Sequence, residues 1–235
     1  MEFIKKLIQH FFKIQGDNMK ILDLTHFLES KMPVYPGTES PIFQTGSTFE
    51  KEGFRETKID FYSHTGTHID APAHMLNHGN FLENIEIDSF FGKAIILNFQ
   101  NRKNPLINLD SLLQYQDRIN KVEFVIIKTG WSIYWGQNQY YENYPYLSKE
   151  AAEWLSEFNL KGIGVDAISI DRSETNNFIV HKTLLSKNII IIENLTNLDS
   201  VKNDYFMLSV LPLKYNKADG SPVRAIGIED FKIIS

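Results

Sequence analysis

Cysteine is absent from all 235 residues. That excludes disulfides and thiolate metal sites together, so any metal must be held by histidine, aspartate, glutamate or backbone oxygen. No apolar run approaches the ~20 residues of a membrane span; the longest, such as residues 188–193 with four consecutive isoleucines, read as buried strands. Positive charge is the scarcer sign: 24 Lys and Arg stand against 29 Asp and Glu, giving a formal net charge of -5. With no long basic block after residue 20, a nucleic-acid partner is not expected. The first apolar stretch is broken by Lys5, Lys6, Gln9, His10 and Lys13, so no signal peptide is expected and the cytoplasm is the expected compartment. What remains is 43% hydrophobic and 23% charged, an ordinary composition in a chain long enough for one large domain.

Residues 1–18 differ from the rest. Phe3, Ile4, Leu7, Ile8, Phe11 and Phe12 recur at helical spacing with lysines between them, which predicts a short amphipathic helix packed on the body or on a neighbouring subunit. A membrane-surface helix is the alternative, and Met19 could serve as another start. From residue 19 on the pattern is mixed α and β without repeats or a linker, so a single domain is expected over 19–235. Strands are predicted at 21–24, 58–62, 94–99, 122–128, 162–165 and 189–192, where β-branched residues cluster. Ser148 predicts a helix start, with Glu150 in the first turn and the helix running to Phe158. A second short helix is predicted over 178–185.

The most informative segment runs from Ser63 to His74. His64, His68, Asp70 and His74 all have even numbers, so an extended strand would point all four to one face. A helix fits worse, since Asp70 lies well round the cylinder from His68, and Gly66 and Pro72 disfavour a helix interior. On this reading Gly66 leaves the shared face open for an ion, while Thr65 and Thr67 turn into the body. A lone histidine is most often structural. Here four of the chain's seven histidines fall within 64–78, which points to a metal or catalytic site. Two imidazoles and a carboxylate suit zinc, manganese or iron(II).

A second pair, His181 and Glu193, lies on the predicted helix and at the end of the isoleucine run. A carboxylate at the end of a buried strand is costly without a partner, and sites in α/β sheets gather at the carboxyl ends of strands. Taken alone, the pair reads first as a salt-bridged glutamate and a surface histidine, and it gains weight as a site only beside the first cluster and the likeness below. Asp166 and Asp171 are expected to shape a nearby loop rather than to ligate, and Asp23 and His26 to be structural. Trp131, Trp135, Tyr140, Tyr141 and Tyr144 form a dense aromatic patch, for core or interface packing or as a wall for an aromatic substrate.

The run His-x-Gly-Thr-His-x-Asp-x-Pro-x-His from His64 to His74 resembles the signature of the cyclase-like metal hydrolase family, which includes bacterial kynurenine formamidases and isatin hydrolases. The likeness continues through Thr129-Gly130-Trp131, residues 145–148, residues 164–171, His181, Glu193-Asn194-Leu195, residues 211–214 and residues 219–225, covering about 20–230. It implies a single-domain α/β sandwich around a mixed sheet, the swivelling β/β/α fold, in a homodimer or homotetramer. It implies that His64, His68 and Asp70 hold one metal. Asp70 would bridge to a second, held by His181 and Glu193, and His74 would be the acid/base residue. The cofactor implied is a divalent metal, zinc before manganese, up to two ions per chain. A metal-bound hydroxide would then attack the carbonyl of a small aryl formamide such as N-formylkynurenine. Opening of a cyclic amide or lactone, as in isatin, is the first alternative; a metal-binding protein without activity is the second.

Overall fold

The computed structural model describes residues 19–230; the segment 1–18 lies outside them. Thirteen strands occur among the described residues: β1 (Lys20–Asp23), β2 (Ile42–Ser47), β3 (Glu56–Asp60), β4 (His68–Asp70), β5 (Phe91–Asn98), β6 (Leu106–Ile107), β7 (Phe124–Lys128), β8 (Tyr146–Leu147), β9 (Gly162–Val165), β10 (Ile190–Glu193), β11 (Tyr205–Ser209), β12 (Gly220–Pro222) and β13 (Ile226–Glu229). Nine of them form one mixed sheet in the order β1-β13-β11-β5-β7-β9-β10-β4-β12. Its centre, β5 to β10, is parallel, and both flanks are antiparallel.

The central strands are buried on both faces, which is why they read as unbroken apolar runs. Along β7, Val125 and Ile127 enter one core with Ile163, Val165 and Ile191; Phe124 and Ile126 enter the other with Ile69, Ile190 and Ile192. Two seven-residue helices, α1 (Lys149–Leu155) and α2 (Ile179–Leu185), pack on each other over the first core. Ser148 caps α1 by accepting from Ala151 N–H at 3.1 Å. The helix ends at Leu155, three residues short of the expected Phe158, where Trp154 and Phe158 meet edge to face.

The sheet curls. Only residues 223–225 separate β12, its last strand, from β13, its second. Laid flat, seven strand spacings would put them roughly 34 Å apart, whereas three linking residues reach about 14 Å. The edges therefore approach each other. Thr25, just past β1, bridges to Leu195, just past β10, and Thr196 N–H donates to the Leu24 carbonyl at 3.1 Å. The expected strand at 58–62 forms as β3, but in a separate hairpin with β2 outside the main sheet. Among the described residues, no helix is long and apolar enough to cross a membrane.

Candidate active site

Sheet pairing brings the first groups together. On β10, Glu193 lies opposite His68 and Ile191 opposite Asp70. Paired residues share a face, so His68, Asp70 and Glu193 emerge beside Ile191, over the first core. α2 covers that face and turns His181 inward.

The four motif residues do not share one extended strand, contrary to the alternation reading. Only His68–Asp70 is strand. Gly66 breaks it on one side with φ +65°, and Pro72 opens a 3-10 turn that ends at His74 on the other. Convergence comes from these two bends. Nor does Gly66 keep space for an ion: a Cβ there would meet Leu28 Cδ2 at 2.5 Å and Met32 Cε at 3.2 Å. Its left-handed turn aims its carbonyl inward, where His68 Nδ1–H donates at 2.8 Å and Asn194 Nδ2–H at 2.8 Å. Thr67 does turn into the body, taking His26 N–H and donating to the Asn194 carbonyl at 2.6 Å. Thr65 Oγ1 is buried without a protein partner.

The imidazoles of His68 and His181 are each held by one nitrogen and offer the other. A carbonyl or carboxylate oxygen only accepts, so the bonded nitrogen carries the proton. His68 gives Nδ1–H to Gly66, leaving Nε2 3.3 Å from Asp70 Oδ1 and 3.6 Å from Glu193 Oε2. His181 gives Nδ1–H to Asp171 Oδ2 at 2.6 Å, leaving Nε2 3.4 Å from Asp70 Oδ2 and 3.3 Å from Glu193 Oε1. Glu193 is itself oriented by Ile170 N–H at 2.9 Å. Imidazole lone pairs facing carboxylate oxygens repel unless a proton or cation lies between them. Asp70 Oδ2, buried without a hydrogen-bond partner, lies where such a cation would satisfy it.

The electrostatics agree. Burial opposes charge on His64, but Asp70 and Asp219 outweigh it and push the imidazole up to about 10. Burial opposes charge on His181 too, yet Asp171, Asp70 and Glu193 hold it well above its ordinary value. Burial would raise the Asp70 carboxyl; His64, His181 and His68 hold it well below the usual carboxylate range. A field that retains protons on these nitrogens attracts a divalent cation in their place. Donor atoms of His64, His68 and Asp70 lie within 4.8 Å of one another, and so do those of Asp70, His74 and His181. The oxygen and nitrogen donors fit a divalent metal; a third such group is His64, His74 and Asp219, and Asp70 belongs to the other two.

The His74 ring lies against that of His64, tilted by 34° with centroids 3.8 Å apart, and lines a cavity of about 400 Å³ with His64, His68, His181 and Glu193. Asp166 shapes the neighbouring loop, as expected, accepting from Thr129 and Gly130. Asp23 pairs with Arg224, and His26 stacks on Trp135 at 3.8 Å; neither lines the cavity. The aromatic patch is packing: Tyr140 and Tyr144 are buried, Trp131, Trp135 and Tyr141 lie against the same core, and none lines the cavity. Its aromatic wall comes from Tyr35, Tyr62 and Phe178. Phe178, at φ +46° just before α2, sets its ring edge-on to His181 at 6.0 Å. Sequence reasoning singled out none of these three, nor Asp219, whose Oδ2 lies 3.0 Å from His64 Nε2 and 3.8 Å from His74 Nδ1. Asp219 does lie within the 219–225 stretch that carries the family likeness, which was its one available signal.

Comparison with known proteins agrees with this geometry. Residues 22–172 match the Cyclase family. A kynurenine formamidase of Bacillus cytotoxicus is 32% identical over 206 residues, 87% of this chain and 95% of the relative. That of Geobacillus thermodenitrificans is 31% identical over the same shares. A solved structure described as a potential metal-dependent hydrolase with cyclase activity is 29% identical, with a TM-score of 0.74 over 90% of this chain and 98% of that one. An isatin hydrolase bound to the product analogue thioisatinate shares the fold, with a TM-score of 0.84 at 20% identity over 97% and 99% of the two chains. The chain thus belongs to the cyclase family of metal-dependent hydrolases.

Proposed function

We propose that this protein is a divalent-metal-dependent amidohydrolase that cleaves a small aryl formamide, N-formylkynurenine being the first candidate. The observation that carries the reading is the convergence of the free nitrogens of His68 and His181 on Asp70 and Glu193. The substrate class comes from the relatives named kynurenine formamidase. Zinc is the first candidate metal and manganese the second, with up to two ions per chain. His64, His68 and Asp70 would hold one; Asp70, His181 and Glu193 would hold the other. Such a cation supplies Lewis-acid polarisation of a carbonyl and acidifies water.

The chain's own residues do the rest. The Gly66 carbonyl and Asp171 fix two imidazoles in one tautomer each. Tyr35, Tyr62 and Phe178 offer aromatic surface for an aryl ring beside the donors. His74, whose side chain is a quarter exposed, takes a proton from the attacking water. It returns that proton to the leaving nitrogen as the C–N bond breaks, so that formate and an aryl amine depart. The setting proposed is a cytoplasmic homodimer or homotetramer. Ile42, Phe49, Phe54 and Ile59, on and beside the β2–β3 hairpin, are about half exposed, an apolar surface that suits a subunit contact. Light scattering that finds a monomer at micromolar concentration sinks that part.

The test is turnover of a panel of aryl formamides, cyclic amides and lactones by zinc- or manganese-loaded protein. Formamide cleavage supports the reading. Cleavage of cyclic amides alone moves the substrate to that class, and metal binding with no turnover of any member refutes an enzyme of this kind.

A further inference from the structure

We infer that Asp219 is a positioning residue of the metal centre, holding His64 by Nε2 so that Nδ1 faces Asp70. The inference rests on the metal-site reading above and adds to it a residue outside the ligand set. Asp219 Oδ2 lies 3.0 Å from His64 Nε2, and His64 Nδ1 lies 2.6 Å from Asp70 Oδ1. With Nε2–H given to Asp219, a metal that displaced the Nδ1 proton would find the lone pair of His64 on Nδ1, beside the proposed bridging carboxylate. The other two imidazoles follow the same plan. Gly66 holds His68 and Asp171 holds His181, each leaving one nitrogen for Asp70. His64 differs in one respect. It presents Nδ1 inward, whereas His68 and His181 present Nε2.

The backbone is built for this contact. Gly220 pairs with Asp70 across β12 and β4, and the Asp219 carbonyl accepts Ala71 N–H at 2.9 Å. Asp219 is thus tied in register to the strand that carries Asp70. The His64 ring occupies the space that a Cβ on Gly220 would need. Glycine lets the ring lie against the strand, and Tyr215 Oη–H fixes that strand by donating to the Gly220 carbonyl at 2.5 Å. The same Asp219 oxygen lies 3.8 Å from His74 Nδ1, so one carboxylate lies beside both a proposed ligand and the proposed acid/base residue.

Partners of this kind typically change metal affinity about 10- to 100-fold when removed. Zinc affinity, read by competition with a chromophoric chelator, is compared for the parent, Asp219→Ala, Asp219→Asn and Asp70→Ala. Asp219→Ala should bind about 10- to 100-fold more weakly, and Asp219→Asn, which keeps an acceptor oxygen, should fall between. The metal-free thermal midpoint of Asp219→Ala should fall only slightly, because the side chain is 39% exposed and solvent discounts its ion pair with His64. In ¹⁵N spectra of the zinc-loaded parent, His64 should show zinc on Nδ1 and a proton on Nε2; Asp219→Ala should lose that fixed pattern. An affinity within about twofold of the parent, or zinc on His64 Nε2 in the parent, overturns the assignment. If the parent binds no zinc, or Asp70→Ala binds it as tightly as the parent, the metal-centre reading itself falls, and this assignment with it.

Discussion

Removing the Asp171 carboxylate should both destabilise the protein and loosen its metal. Asp171 is 2% exposed. Its Oδ1 accepts Val180 N–H at 3.0 Å, and its Oδ2 accepts His181 N–H at 2.9 Å and His181 Nδ1–H at 2.6 Å. One side chain therefore caps the first turn of α2 and sets the tautomer of His181, the proposed ligand on that turn. Asp171→Ala strands three donors in a buried place. At about 1 kcal/mol each, the low end for a stranded donor because water can enter the vacated space, the loss is about 3 kcal/mol. Unfolding entropy near 2.1 cal/mol/K per residue over 235 residues is about 0.5 kcal/mol/K, so the melting midpoint should fall by about 6 °C.

The sign with pH follows from the carboxyl. Burial raises it, but the bonds from His181 and Val180 outweigh burial and hold it below 3.8. Its stabilisation is thus complete above that value and disappears as pH falls through the lower folded value. The gap between parent and variant should be constant near neutrality and close in acid. Thermal unfolding of the metal-free proteins by circular dichroism reads this directly, and chelator competition reads the second effect, a metal affinity about 10- to 100-fold lower. A midpoint within about 1 °C of the parent at neutral pH would mean that Asp171 does not hold α2. An unchanged affinity would mean that the tautomer of His181 is set by something else.

His74→Ala should keep fold and metal while activity falls by ~10²–10⁴-fold, whereas Asp70→Ala should lose metal and activity together; elemental analysis beside turnover separates the two. Should His74→Ala instead lose an ion with Asp70 intact, His74 is a ligand and His181 is the next acid/base group to examine. Metal affinity should rise with pH, about one decade per pH unit for each proton displaced, because His64 is pushed up to about 10 and His181 is raised as well. The same shift has a stability sign: proton-bound His64 stabilises the metal-free protein fully below 6.5, and that contribution is lost as pH rises towards about 10. Chelator competition that finds a flat affinity across this window refutes the competition between proton and metal.

The cluster of His64, His68, Asp70 and His74 was legible in the sequence as a set of candidate donors, whereas His181 and Glu193 became ligand candidates through the family likeness. With no cysteine, a cluster of imidazoles and carboxylates has few other uses. The central strands were legible as well: β7, β9 and β10 are buried on both faces, so their apolar runs need no partner to be recognised. Geometry was another matter. The alternation that placed His64, His68, Asp70 and His74 on one face holds only for a backbone that stays extended. Gly66 and Pro72, used to argue against a helix, bend the extended chain equally well.

The contacts that Asp219 and Asp171 make with the imidazoles were beyond reach for a different reason. Asp219 meets His64 only because the curled sheet lays β12 beside β4, a pairing set by closure of the whole sheet rather than by any local pattern. Asp171 meets His181 only because α2 starts at Ile179 and exposes its first N–H groups to that carboxylate. Residue type thus announced which groups could hold a cation. Which nitrogen each imidazole offers is decided by its second hydrogen bond, and for His64 and His181 that bond is made by an element brought in by the fold. Orientation is therefore what the structure adds to the sequence, and Asp171→Ala and Asp219→Ala remove it while leaving every proposed ligand in place.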